Sequence, residues 1–194
     1  MKIRQFLILA ALLWLLSGCK ESSAKLAYKK GNYEVSECRQ ELRLGNHFAD
    51  NKKIDRIVVD KSERKMYLYK KGKVLHTLRI SLGKNPNGHK IKIGDHRTPE
   101  GSYMITYKKC HPKYYRMISL SYPNRKDLRD ANKRGVSPGS GITIHAQPFW
   151  NADGKGNRFT LSNDWTNGCI AVTNYAMDLL WYSVKSGTPI QITA

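Results

Sequence analysis

The chain has 194 residues, the size of one ordinary domain able to bury roughly 70% of its unfolded surface. It carries 34 lysines and arginines against 15 aspartates and glutamates, a formal +19, and so strong a balance favours a polyanionic neighbour. No basic zipper, zinc-finger spacing or aromatic RNA-binding motif accompanies that charge, which argues against nucleic acid as the partner.

The N-terminus reads as a processing signal. Lys2 and Arg4 form a basic head, Phe6 to Leu16 a short apolar run, and Ser17-Gly18 supply the small residues a peptidase needs. The run is too short to span a bilayer comfortably. Leu16-Ser17-Gly18-Cys19 resembles the bacterial lipobox, and that resemblance implies that residues 1–18 are removed and that Cys19 carries lipid. Lys20 is not the aspartate that retains such proteins at the inner membrane, so the expectation tilts toward outer-membrane sorting. Without Lys2 and Arg4 the 34 basic side chains become 32 against 15 acidic, a formal +17. On an exported, periplasmic-side protein, that charge points to acidic cell-wall peptides, anionic lipid or lipopolysaccharide. With Cys19 acylated and Cys169 needed as a thiol, Cys38 and Cys110 are left as a possible pair, which export permits.

Residues 19–53 are polar and charged and read as a tether and lead-in, with a short helical piece near Val35 to Leu44. The pattern changes at Ile54. Strands are expected at Ile57–Val59, Met66–Tyr69 and Val74–Ile80, the last two separated by a turn at Lys71-Gly72-Lys73. Asn85-Pro86-Asn87-Gly88 and Thr98-Pro99-Glu100-Gly101 are turn signals, followed by strands at Tyr103–Tyr107, Arg116–Leu120 and Ile142–His145. A polar surface helix is expected over Arg125–Lys133. A second, capped by Asn174, has Met177, Leu180, Trp181 and Val184 as its core stripe. Gly187-Thr188-Pro189 turns the chain into a last strand, Ile190–Ile192. The spacing predicts a mainly β fold, a compact antiparallel sandwich or barrel with one or two short helices.

The chemistry is expected where Trp165-Thr166-Asn167-Gly168-Cys169-Ile170-Ala171 meets Ile142-Thr143-Ile144-His145. Glycine before cysteine allows a positive φ or a close backbone approach, and His145 can supply the base. His89 and His96 read as exposed loop histidines, since no close Cys or His pair has metal-ligand spacing. Cys110-His111 mimics a nucleophile and its base, but neighbours on a strand point to opposite faces.

The ordered set His145, Thr166-Asn167-Gly168-Cys169, Ser81-Leu82-Gly83, Gly94-Asp95, Thr98-Pro99-Glu100-Gly101 and Gly187-Thr188-Pro189-Ile190 resembles the L,D-transpeptidase catalytic domain over 54–194. Asn167 replaces the histidine that usually precedes Gly-Cys, and Ala171 stands where many members have arginine. The resemblance implies Cys169 as nucleophile and His145 as proton acceptor and donor. Thr166, Asn167 and Gly168 would orient the site, with backbone N–H groups near Gly168 and Cys169 facing the oxyanion. It also implies peptidoglycan stem peptides as substrates and needs no metal or cofactor. Tyr122, Trp150 and Trp165 are candidates to line the groove, and the loop from Ala146 to Trp165 is a candidate lid. The acyl acceptor is expected to be an amine on another stem, a lipoprotein lysine or a free D-amino acid. The alternatives are a hydrolase of the same site class, such as one releasing wall-bound lipoprotein, and a non-catalytic peptidoglycan-binding lipoprotein.

Overall fold

A computed structural model describes residues 35–44, 53–151 and 156–194. The signal segment, Cys19 and most of the tether lie outside the described residues. In chain order the elements are α1 (Val35–Leu44), β1 (Arg56–Asp60), β2 (Lys65–Lys70), β3 (Lys73–Arg79), β4 (Gly101–His111), β5 (Tyr115–Leu120), α2 (Arg125–Lys133), β6 (Thr143–His145), a 3-10 turn (Phe149–Asn151), α3 (Gly156–Ser162), β7 (Ile170–Ala171), α4 (Asn174–Ser183) and β8 (Pro189–Thr193).

The strands form one curled mixed sheet, an open half-barrel in the order β3-β2-β1-β8-β4-β5-β6-β7. The mainly β expectation holds, with two pairings that are parallel rather than antiparallel: β1 with β8, and β6 with β7. Alternation builds the core. Ile57 and Val59 of β1, Met66 and Leu68 of β2, and Ile190 and Ile192 of β8 all turn to one face and are buried. Each such side chain contributes about 1.5–3 kcal/mol over its exposed state. β3 is an edge strand that buries only Leu78, and its Lys73 and Arg79 suit an unpaired edge.

α4 packs its expected stripe inward, with Met177, Leu180 and Trp181 at 0% exposure. Its N-cap is Thr173 rather than Asn174: the Thr173 hydroxyl accepts from the Ala176 N–H at 3.2 Å. α2 spans the expected residues and closes a capping box between Asn124 and Asp127.

The lead-in is less loose than its composition suggests. Cys38 of α1 is bonded to Cys110 of β4 across 72 residues, so the possible pair is a disulfide. Arg116, almost completely buried in β5, pairs with Glu41 of α1 and, at 2.7 Å, with Asp178 of α4. Its guanidinium also lies over the rings of Tyr115, Trp181 and Tyr182. One cation thus holds two helices to the sheet.

Candidate active site

Parallel pairing of β6 with β7 brings the two distant segments together. Ile144 stands opposite Ile170 and His145 opposite Ala171, so Cys169 falls level with Thr143. On adjacent strands two residues out of step, Cα atoms lie about 8 Å apart. Cys169 and His145 line the same cleft, of about 360 Å³, together with Tyr114, Trp165 and Asn167.

The turn into Cys169 is held from both sides. Gly168 has φ +126, and a Cβ there would lie 2.7 Å from the Arg97 carbonyl oxygen. Both facts demand glycine. The Thr166 hydroxyl accepts from the Gly168 N–H at 3.1 Å and donates to the Cys169 carbonyl at 2.7 Å. The Gly168 N–H is therefore committed within the turn, unlike the role expected for it, while the Cys169 N–H has no acceptor among the described residues. Ser81 exchanges backbone hydrogen bonds with Ala171, 2.9 and 2.8 Å, and Lys84 N–H donates to the Thr166 carbonyl. The Leu82 N–H donates to Asp164, whose carboxylate is in turn paired with Arg64.

Behind the turn, the loop 84–100 is fastened by buried charge. Lys61 donates to the carbonyls of Gly88 and Thr98 and to Glu100. Asp95 pairs with Lys90 at 2.7 Å and accepts from three backbone N–H groups. Burial alone would raise its carboxyl; these partners outweigh that and hold it down at about 2. The loop puts Arg97 against Gly168 and places the Thr98 hydroxyl to accept from the Gly83 N–H. This explains why Gly94-Asp95 and Thr98-Pro99-Glu100-Gly101 accompany the cysteine in the sequence. His89 is not merely an exposed loop residue: its Nδ1 accepts from the Glu100 N–H, and its Nε2 lies 3.3 Å from Asp127.

The Cys169 Sγ accepts from the Thr143 hydroxyl at 3.5 Å and donates to the Gly141 carbonyl at 3.7 Å. His145 is 3% exposed. Its Nδ1 donates to the Ala146 carbonyl at 2.9 Å, because a carbonyl only accepts, and this leaves the lone pair on Nε2. The ring is gripped by Tyr114, with centroids 4.3 Å apart, and by the edge of Trp165. Burial pushes its conjugate acid down to about 4, against a weaker rise from the Ala146 carbonyl, and nearby His111 and Lys113 push the same way. His145 is therefore a neutral imidazole at physiological pH.

Of the other expected groove residues, Trp165 lines the cleft and donates from Nε1 to the Thr160 carbonyl. Tyr122 does not: it is buried, edge-on to Tyr103, with its hydroxyl given to the Pro138 carbonyl. The Trp150 side chain lies outside the described residues. The loop 146–165 contains α3, fixed by Asn151 donating to Gly156 and Thr160. Residues 152–155 lie outside the described residues. Tyr114 was not foreseen, because a lone tyrosine in a turn carries no pattern that marks it. Among the described residues, no group of three or more His, Cys, Asp or Glu could hold a metal ion.

Solved structures share this architecture. Bd1075 from Bdellovibrio bacteriovorus is 26% identical with a TM-score of 0.51, covering 75% of this chain and 49% of that one. The helical cell shape determining protein Pgp2 from Campylobacter jejuni is 24% identical with a TM-score of 0.54, covering 72% and 47% respectively. The chain thus spans about half the length of these proteins. No match was found among curated proteins. The family model for the L,D-transpeptidase catalytic domain, YkuD, matches residues 54–192. That match takes in β1 through nearly all of β8, the turn that carries Cys169 and the cleft beside it, and the chain belongs to the L,D-transpeptidase catalytic-domain family.

Proposed function

We propose that this domain carries out cysteine-dependent acyl transfer on peptidoglycan stem peptides. The observation that carries the reading is the placement of a thiol and a neutral, oriented imidazole in one aromatic cleft. His145 Nε2 takes the Cys169 proton as the sulfur attacks the carbonyl of the third, diamino residue of a stem tetrapeptide. The Cys169 N–H faces the oxyanion, a contact worth roughly 3–4 kcal/mol in known sites. The C–N bond then breaks, and D-alanine leaves with its amine protonated by the His145 imidazolium. The acceptor amine gives its proton to His145, attacks the thioester and returns the sulfur as a thiol. The acceptor is an amine of another stem, a lipoprotein lysine or a free D-amino acid.

The Cys169 sulfur rests between the Thr143 hydroxyl and the Gly141 carbonyl, and the His145 imidazole is neutral; in this reading the proton passes between them in the substrate complex. Residues 1–18 act as the signal and Cys19 as the lipid anchor, with 19–53 joining it to the domain at 54–194. The Cys38–Cys110 bond suits an extracytoplasmic location.

The test is incubation of the protein with muropeptides, followed by mass spectrometry. A thioester on Cys169, D-alanine release and new amide bonds are expected. Shortened stems without new amides would assign the acyl group to water and make the domain a hydrolase. With no thioester and no change in any muropeptide, the enzymatic reading fails.

A further inference from the structure

We propose that Lys113 and Lys84 form a carboxylate-reading pair in the cleft, selecting donors by the free carboxylate of the D-amino acid that leaves. The proposal rests on the acyl-transfer reading above and adds the feature of the donor that the cleft recognises.

Both lysines line the cleft that holds Cys169 and His145, and no residue lining it is acidic. Their backbones are fixed by the elements that build the site. The Lys113 N–H donates to His111 Nδ1 at 3.1 Å, and its carbonyl accepts from Phe149 at 2.8 Å. Its ammonium lies over the Tyr114 ring, 5.2 Å from the centroid, and that same ring grips His145. The Lys84 N–H donates to the Thr166 carbonyl at 2.9 Å, so its side chain departs beside the turn that carries Cys169.

The scaffold lysines behind the site supply a contrast. Lys61 and Lys90 are buried, and each is held by a resident carboxylate, Glu100 and Asp95 respectively. Among the described residues, neither Lys84 nor Lys113 is paired with one, although both stand at the cleft. An exposed lysine usually serves solvation alone. Two of one sign over a cleft walled by tyrosine, tryptophan and proline focus a positive potential into it. A leaving D-alanine brings a carboxylate two bonds from the amine that must depart, which places negative charge beside the reacting carbonyl.

Occupancy also bears on the chemistry. The Lys113 charge opposes protonation of His145. A carboxylate seated against Lys113 offsets that charge, so His145 accepts the thiol proton more readily once the donor is bound.

The experiment measures binding and turnover separately. A synthetic stem tetrapeptide and its C-terminal carboxamide are titrated into the full chain carrying Cys169→Ala, by calorimetry. Both peptides are then offered to the unsubstituted protein, with D-alanine and D-alaninamide release followed. The free acid is expected to bind about tenfold tighter, the scale of a charge-assisted hydrogen bond. The gap should fall below about threefold with Lys84→Met and Lys113→Met together, persist with Lys→Arg at both, and narrow between about 50 mM and about 500 mM salt. Equal binding of acid and amide, or a gap that the methionine substitutions leave unmoved, overturns the pair. A lysine-dependent gap without release from either peptide keeps the pair and removes the acyl-transfer reading.

Discussion

Two cysteines of this chain each have a histidine for company, and their fates differ. Cys110 precedes His111 directly, but on β4 the two side chains leave opposite faces. The sulfur turns inward to Cys38, while the imidazole turns outward to stack on Tyr114. Cys169 is 24 positions from His145, yet parallel pairing puts both on one cleft. Strand geometry decides which neighbour matters. The first sulfur staples the fold; the second faces an aromatic cleft with a hydroxyl and a carbonyl for partners.

The sharpest way to break that contrast is substitution at each sulfur. Cys169→Ala should cut acyl transfer by about 10⁴-fold or more, with the unfolding midpoint unchanged. Cys38→Ser with Cys110→Ser should do the reverse: turnover persists while stability drops by about 4 kcal/mol, the scale for a closed loop of 72 residues. Thermal unfolding with and without reductant checks it. If reduction abolishes turnover of the still-folded protein, the two regions are not independent.

The next effect is on pH dependence. His145 falls from 6.5 in the unfolded chain to about 4 in the fold. Between those values the unfolded chain binds more protons, so stability is fully present above pH 6.5 and is lost as pH drops toward 4, by up to about 3 kcal/mol. His111, also pushed down by burial, acts in the same direction. The informative comparison is therefore wild type against His145→Asn, whose loss across that window should be distinctly smaller. Asp95, held at about 2 from 3.8, titrates lower: its contribution is present above pH 3.8 and is lost toward 2. Equal slopes for wild type and His145→Asn between pH 6.5 and 4 would contradict the buried neutral imidazole.

The smallest effect separates two glycines. Gly168→Ala meets both a positive φ and the Arg97 carbonyl, and should cost about 2 kcal/mol with a large fall in turnover. Gly187→Ala has φ +83 but nothing within 4 Å of the new Cβ, so about 1 kcal/mol and unaltered turnover are expected. Chemical denaturation of both variants measures the difference.

Much of this was legible because the signals were local. Runs such as Ile57-Val58-Val59 and Met66-Tyr67-Leu68-Tyr69 announce strands, Gly168 announces its turn, and Met177, Leu180 and Trp181 announce the buried face of α4. What stayed hidden depends on partners far away in the chain. β8 pairs in parallel with β1 across the whole domain, and nothing within either strand states its direction. α3 begins at a glycine in a polar stretch and is held by Asn151 and Thr160 rather than by an apolar stripe. The grip of Tyr114 on His145 follows from the β4–β5 turn, which sequence spacing cannot aim. Tyr122 misled for the same reason: an aromatic beside proline looks like a groove wall until Tyr103 and Pro138 are seen to enclose it.

The fastening of α1 has a mechanical consequence. Any pull along the segment preceding Val35 reaches the domain first at Cys38 and Glu41, and passes from there into Cys110 of β4 and Arg116 of β5. Those are neighbouring interior strands of the sheet, so the load enters the fold away from both of its edges. Tension arriving from that side is thus met by a disulfide and an ion pair rather than by β1, the strand that follows in the chain.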